Sequence, residues 1–350
     1  MNHRLVAFVA SVATVGCAQA QEAKAPKASR MLAVDAVELV NGKEVEGAED
    51  RFTDRHGFRY RFASAENKAA FDRDPERYEI QLGGACAKMG PLSGTGSTKL
   101  RSVHEGRVYV FASEGCKATF LKDPEARIDR PDARPTGTPE AIARGAALMD
   151  QMLKGLGGAA RVDGLKSVTV DSTSREPSGD KVYTHRRVLA IRFPDEVRRD
   201  EHWDDSYYGM VSSRAGAFFL GSAREAMHPV QRFKLEREFF HLPLVIARNR
   251  GRADFVALGA GERLTVWFAG VRTDLELEKE TGRVRSALYR ARGAAGALAD
   301  VRLDYVGGRE VDGVWFAERA EAQSGGKRWS AGDVHPGEVV LNADVERLLP

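Results

Sequence analysis

The sequence predicts an α+β protein of two modules: a small α/β module, then a curved antiparallel β-sheet with covering helices. Three observations predict it. A strand–helix pattern occurs twice before residue 128. A stretch with three prolines, Asp129 to Pro139 (DRPDARPTGTP), follows and disfavours both helix and strand. Beyond it, β-rich runs separated by glycine turns dominate to the end of the chain. The length of 350 residues fits two domains at roughly 100–200 residues each.

Residues 1–20 have the pattern of a cleavable export signal. Met1-Asn2-His3-Arg4 is a short positive start, and Leu5 to Gly16 is apolar over about twelve residues. Ala18-Gln19-Ala20 supplies the A-x-A site, with cleavage after Ala20. The expected location is therefore periplasmic or secreted. Val15-Gly16-Cys17 partly matches a lipid-attachment motif, so anchoring at Cys17 is the alternative. No stretch reaches the ~18 consecutive apolar residues of a membrane span, so the mature chain is expected to have no integral span. Residues 21–30 (QEAKAPKASR) are polar and read as a flexible tether. Charge is nearly balanced, with 53 basic and 50 acidic residues and a net +3. So small an excess provides no general attraction to nucleic acid.

The first module spans residues 31–128 and contains an internal echo. Phe58-Arg59-Tyr60-Arg61-Phe62-Ala63-Ser64 precedes Glu66, Phe71 and Asp74-Pro75. Arg107-Val108-Tyr109-Val110-Phe111-Ala112-Ser113 precedes Glu114, Phe120 and Asp123-Pro124. Each copy alternates aromatic and polar residues, as a half-buried strand does. Ser then stands at a helix N-cap, and Asp-Pro stops the helix about two turns later. Phe71 and Phe120 are expected to plug the small core.

Residues 129–139 form the linker, and residues 140–350 form the second module. It opens with an amphipathic helix from Glu140 to Leu156, ended by Gly157-Gly158. Strands are expected at 168–170, 181–191, 216–220, 255–258, 264–269, 275–278, 284–290, 301–306 and 314–322. Phe233 to Arg250, broken by Pro243, reads as one or two helices covering the sheet.

Within the first module, Tyr60-Arg61-Phe62-Ala63-Ser64-Ala65-Glu66-Asn67, Phe71 and Asp74-Pro75-Glu76-Arg77-Tyr78 resemble the YHS domain family. Gly83-Gly84-Ala85-Cys86-Ala87 is similar to a Gly-Gly-x-Cys-Ala segment of an exported subgroup. The family's metal-binding members carry a Cys just before the helix-starting Ser, where this chain has Ala63 and Ala112. Two cysteines remain after cleavage, Cys86 and Cys116. In an oxidising compartment an even pair suggests a disulfide. Two other readings stay open. Cys86, Met89 and Cys116, with His104 as a fourth ligand, would suit copper or another soft metal ion. Alternatively, the thiols are buried packing groups.

The second module resembles the periplasmic lipoprotein-carrier superfamily. The likeness rests on the opening helix, the turn Glu278-Lys279-Glu280-Thr281-Gly282-Arg283-Val284, and Val301-Arg302-Leu303-Asp304-Tyr305 followed by Glu310-Val311-Asp312-Gly313-Val314-Trp315-Phe316. The resemblance implies a curved half-barrel around an apolar cavity. The partner would be an apolar or amphiphilic small molecule or lipid. Phe218, Phe219, Leu220, Phe239, Phe240, Leu242, Trp267, Phe268 and Trp315 are the candidate ligand-binding residues. Arg186-Arg187 and Arg198-Arg199 are expected at exposed strand ends, where they could guide an anionic head group.

The chain has no G-x-S-x-G, H-E-x-x-H, P-loop or dinucleotide fingerprint. No catalytic residue is assigned. The densest polar cluster is Glu201-His202-Trp203-Asp204-Asp205-Ser206-Tyr207-Tyr208. A hydrolase centred on His202 is one alternative function, and metal handling by the first module is the other. The leading expectation is an exported binding protein that carries or senses an apolar or amphiphilic ligand.

Overall fold

The computed structural model describes residues 30–349, apart from 179, 180 and 205. The export signal, the site at Cys17 and the tether up to residue 29 lie outside the described residues, as does Asp205.

The first module is a duplicated hairpin–helix unit. In the first copy, β1 (Arg30–Leu32) runs parallel to β3 (Phe58–Phe62), which pairs with β2 (Ala48–Arg55). Helix α1 (Ala36–Val40) precedes this hairpin; α2 (Ala65–Arg73) and α3 (Pro75–Tyr78) follow it. In the second copy, β4 (Ser97–His104) and β5 (Arg107–Phe111) form the hairpin, and α4 (Glu114–Lys122) follows. Parallel bridges from Ile80 to Val108 and Cys86 to Val110 repeat the role of β1. The cap chemistry is duplicated too. Ser64 Oγ accepts from Asn67 N at 3.1 Å, and Ser113 Oγ accepts from Cys116 N at 3.2 Å. Phe71 and Phe120 are fully buried. Phe71 lies 4.7 Å from Tyr60 and 5.2 Å from Phe62; Phe120 lies 5.1 Å from Tyr109 and 5.2 Å from Phe111.

The second module has two seven-stranded antiparallel sheets with helices packed between them in one core. Helix α5 (Pro139–Gly155) is capped by Thr138 Oγ1, which accepts from Ala141 N at 3.3 Å. The short α6 (Ala159–Gly164) follows. One seven-stranded sheet contains β6 (Ser167–Ser178), β7 (Lys181–Arg192), β8 (Glu196–Trp203), β9 (Ser206–Ser213), β10 (Gly216–Leu220) and β11 (Arg224–Ala226). After α7 (Pro229–Phe240) and α8 (Pro243–Asn249) comes a second seven-stranded sheet. It comprises β12 (Val256–Ala260), β13 (Arg263–Phe268), β14 (Val271–Leu277), β15 (Val284–Arg292), β16 (Leu298–Val306), β19 (Arg319–Ser324) and β20 (Lys327–Arg328). A small hairpin, β17 (Arg309–Val311) with β18 (Val314–Phe316), interrupts it. The last strand, β21 (Glu338–Leu341), returns to β6 at the edge of the first sheet.

One core joins both sheets. Leu148, Met152 and Leu153 of α5 meet Leu235, Phe239 and Phe240 of α7 and Val245 and Ile246 of α8. Val197 and Met210 face them from the first sheet, and Leu264, Phe268 and Leu275 from the second. Among the described residues, no helix is long and apolar enough to cross a membrane.

Helix α7 also joins the modules. Gln231 Nε2 donates to Pro91 O at 3.0 Å, and Arg237 Nη1 donates to Arg130 O at 2.9 Å. Asp129 lies 3.0 Å from both Lys234 and Arg237, and Asp132 lies 2.8 Å from Arg237. Trp267 Nε1 donates to Asp132 O at 2.8 Å. Residues 129–138 contain no helix or strand, but their acids are anchored to the second module. Gly83 makes the docking possible. Its φ is +62°, and a Cβ there would lie 2.7 Å from both His228 Cβ and the Gln231 amide.

At the other end of α7, His241 is buried and stacked 3.9 Å from Tyr289. Burial first, and Lys234 and Arg237 next, push its imidazole down to about 4 from the ordinary 6.5. The unfolded chain therefore takes up this proton first. His241's contribution to stability is complete above about pH 6.5 and is lost as pH falls towards 4. The loss is roughly 3 kcal/mol for about 2.5 units. Urea unfolding at several pH values checks this. His241→Phe should remove that share of the acid sensitivity, and an unchanged pH slope would contradict the assignment.

Candidate functional site

The nine apolar residues expected to line a concave pocket are divided by the fold. Phe239, Phe240 and Phe268 are 1–3% exposed and belong to the central core. Phe240 and Phe255 stand 5.1 and 5.8 Å from Phe268. Phe219 and Leu242 pack against the same core. Phe218 and Leu220 face the other side of the first sheet, where Val345, Leu348 and Leu349 cover them. Trp267 is bonded to Asp132 with Arg134 over its ring, and Trp315 lies under Arg283. Neither cavity described below is lined by any of the nine.

The larger cavity, about 540 Å³, lies where α6 and α8 meet the end of β7 and the chain terminus. Leu165 and Phe193 give it an apolar wall, and Lys166, Arg192, Arg214 and Arg248 bring four cations against Asp163 and Glu346. Each element contributes for a local reason. Gly164 and Leu165 end α6, so Lys166 projects from the turn into β6. Arg192 closes β7 and pairs with Glu196 at 2.7 Å and Glu346 at 3.1 Å. Arg248 sits in the last turn of α8, 5.4 Å over the Phe193 ring and 3.6 Å from Asp163. Asp163 is held below the usual carboxylate range, chiefly by its hydrogen bond from Arg250, so it stays ionised. Arg214 reaches across from the turn after β9, 85% exposed and 3.3 Å from Glu196. None of these residues was among those expected from the sequence to line a site. Their only linear signal is basic residues at element ends, whereas the apolar wall comes from distant segments.

A smaller cavity of about 210 Å³ lies at the junction, lined by Met89, Pro91, Leu92, Lys234, Glu238 and Arg292 among others. Met89 is 45% exposed there. His104 is drawn instead to Glu125 Oε1 at 3.1 Å. Of the four expected soft-metal ligands, the fold brings together the two thiols. Cys86 and Cys116 are free cysteines, which corrects the disulfide expectation. The duplication accounts for the pair. Cys86 Sγ accepts from Ala112 N at 3.3 Å, as Asp35 Oδ2 accepts from Ala63 N at 2.7 Å. Asp35 also accepts from Asn67 Nδ2 at 2.9 Å, and Cys116 stands where Asn67 stands in the first copy. A carboxylate–amide lock in one copy is therefore a thiol pair in the other. Hydrogen bonding with Ser113 first, then with Cys86, outweighs burial and holds the Cys116 thiol below its usual range. Such a thiol is a better nucleophile and soft ligand than an ordinary one.

His202 lies on β8 with its ring 5.0 Å from Tyr207, and Asp204 turns the following hairpin at φ +45°. Asp204 Oδ1 accepts from Thr184 N at 3.1 Å, which gives that carboxylate a structural role. The neighbouring His185 and Glu201 form a buried pair, with His185 stacked 3.9 Å from Trp203. The paired arginines are not simple strand-end decoration. Arg198 bonds Asp200 at 2.8 Å, and Arg199 bonds Glu238.

Residues 36–81 match the model of the YHS domain, so the first module carries that domain. No curated protein sequence matches the chain. Among solved structures, it is similar to a DUF1329 family protein from Desulfovibrio piger, at 14% identity over 59% of this chain and 99% of that one, TM-score 0.39. It is also similar to a LolA superfamily protein from Nitrosomonas europaea, at 11% identity over 59% and 97%, TM-score 0.36. An outer membrane lipoprotein-sorting protein domain from Vibrio parahaemolyticus matches at 10% identity over 59% and 96%, TM-score 0.33.

Proposed function

We propose that the chain is an exported binding protein whose second module takes an amphiphile with an anionic head group. The ligand would sit in the cavity of about 540 Å³ at the α6–α8 end. The observation that supports this is its lining. Four cations face two carboxylates, and an apolar wall of Leu165 and Phe193 stands beside them. The volume suits a small molecule. The cations would bind the head group, while the apolar wall would shed water against the first part of a chain. This reading puts the ligand at this end and not on the concave face, because Phe239, Phe240 and Phe268 belong to the core.

The test uses the full mature chain with a fluorescent long-chain fatty acid and its uncharged alcohol analogue. The acid is expected to bind at one saturable site, more tightly than the alcohol. Lys166→Glu with Arg214→Glu reverses two exposed cations without disturbing the core, and should weaken binding about tenfold or more, or ~1.4 kcal/mol. Failure of the acid to saturate, or an affinity unchanged by the reversal, would refute the proposal.

A further inference from the structure

Three side chains that no sequence motif groups meet where the modules join. His56 lies in the turn between β2 and β3, Glu79 follows α3, and His228 caps α7. His56 Nδ1 is 3.0 Å from Glu79 Oε2, and His228 Nε2 is 3.2 Å from Glu79 Oε1. One ligand atom from each residue lies within 4.8 Å of the other two. The imidazole rings stand edge to face at 4.5 Å. We propose that His56, Glu79 and His228 form a binding site for a first-row divalent cation such as zinc, bridging the two modules.

The donor set suits such an ion. Two imidazoles and one carboxylate are borderline ligands, and three protein ligands leave a fourth position for water. Glu79 has a side chain only 4% exposed, whereas the His56 side chain is 36% exposed and gives an ion a route in. Burial alone would raise the Glu79 pKa, but hydrogen bonds from His228, Arg55 and His56 outweigh it and hold the group at about 2. Glu79 is thus a carboxylate at any neutral pH. Oε2, the oxygen that faces His56, also accepts from Arg55 Nε at 2.7 Å, and such an outer hydrogen bond orients a ligating carboxylate.

The histidine tautomers can follow. Val230 N donates to His228 Nδ1 at 3.3 Å, which places the proton on Nε2, towards Glu79. An ion on Nε2 moves that proton to Nδ1 and gives up this long contact. The other half of the cap, His228 N to Gln231 Oε1 at 2.9 Å, is untouched. Another group, His104, Glu105 and Glu125, lacks these features. Both of its carboxylates are exposed and bound by Arg130.

The experiment adds Zn²⁺ to the full mature chain, dialyses it, and measures retained metal; Co²⁺ then reports the ligands by absorption. A single equivalent of zinc should be retained, and the unfolding midpoint should rise. Cobalt should show visible ligand-field bands without a thiolate charge-transfer band. His228→Ala and His56→Asn should each lose the retained ion. His56 has φ +47° in an exposed turn, a conformation Asn accepts, so this variant decides the matter should His228→Ala fail to fold. Three results would overturn the proposal. They are no retained zinc, retention unchanged in His56→Asn, or a thiolate charge-transfer band placing the ion on Cys86 and Cys116.

Discussion

Asp129→Asn is expected to lower the free energy of unfolding by about 3–5 kcal/mol, the usual cost of removing one partner from a buried ion pair. The Asp129 side chain is 3% exposed, and so is that of Arg237. The carboxylate faces Lys234 and Arg237 together, each at 3.0 Å. Both of its oxygens are outside hydrogen-bond alignment, so charge rather than directional bonding holds the group. Asn removes that charge and leaves Lys234 and Arg237 at the junction, with Asp132, 2.8 Å from Arg237, as a remaining counter-charge. Chemical denaturation with matched m-values measures the effect. Asp132→Asn should cost less, because Asp132 is 15% exposed. A change below ~0.5 kcal/mol for Asp129→Asn would mean that water reaches the cluster.

Phe268→Ala should cost a similar 3–5 kcal/mol, through lost transfer energy and the cavity left behind. Phe268 is 1% exposed, with Phe240 and Phe255 against its ring. Phe218→Ala should cost much less. Phe218 is half-buried, and its ring is covered by Arg224 at 3.7 Å. The comparison also separates two functional readings. If Phe268→Ala left stability intact and abolished fatty-acid binding, the concave face would be the ligand site and the α6–α8 cavity would not.

The first module was largely legible in the linear chain. The alternation of β3, the serine caps of α2 and α4, and their Asp-Pro stops are all local signals. In the second module the glycine-separated strands and the Pro243 break were equally readable. The failure came at β8 and β9. No strand was expected between residues 191 and 216, yet β8 lies in the middle of its sheet with Glu196, Asp200 and Glu201 buried. Each acid is matched by an arginine: Arg192 for Glu196, Arg198 for Asp200, Arg187 for Glu201. Such pairing, within a strand or between neighbouring strands, has no signature in a hydropathy pattern.

The ligand residues failed for a related reason. Alternation correctly separates Phe219 from Phe218 and Leu220, but it cannot reveal that a distant C-terminal segment covers the outer face. The Gly-Gly run was recognised by likeness. Its physical cause is steric: Gly83 admits α7, and a Cβ on Gly84 would lie 2.2 Å from the Phe58 ring.

The pairing of β21 with β6 bears on how the chain is made. Val168 to Asp171 finds its partner in Glu338 to Leu341, which are synthesised long after it. Until then β6 presents a bare edge, the kind of surface that recruits foreign strands. Such long-range closure also slows assembly, because chain entropy must be lost before the contact forms. A secretory route that threads the polypeptide unfolded would gain time from this delay.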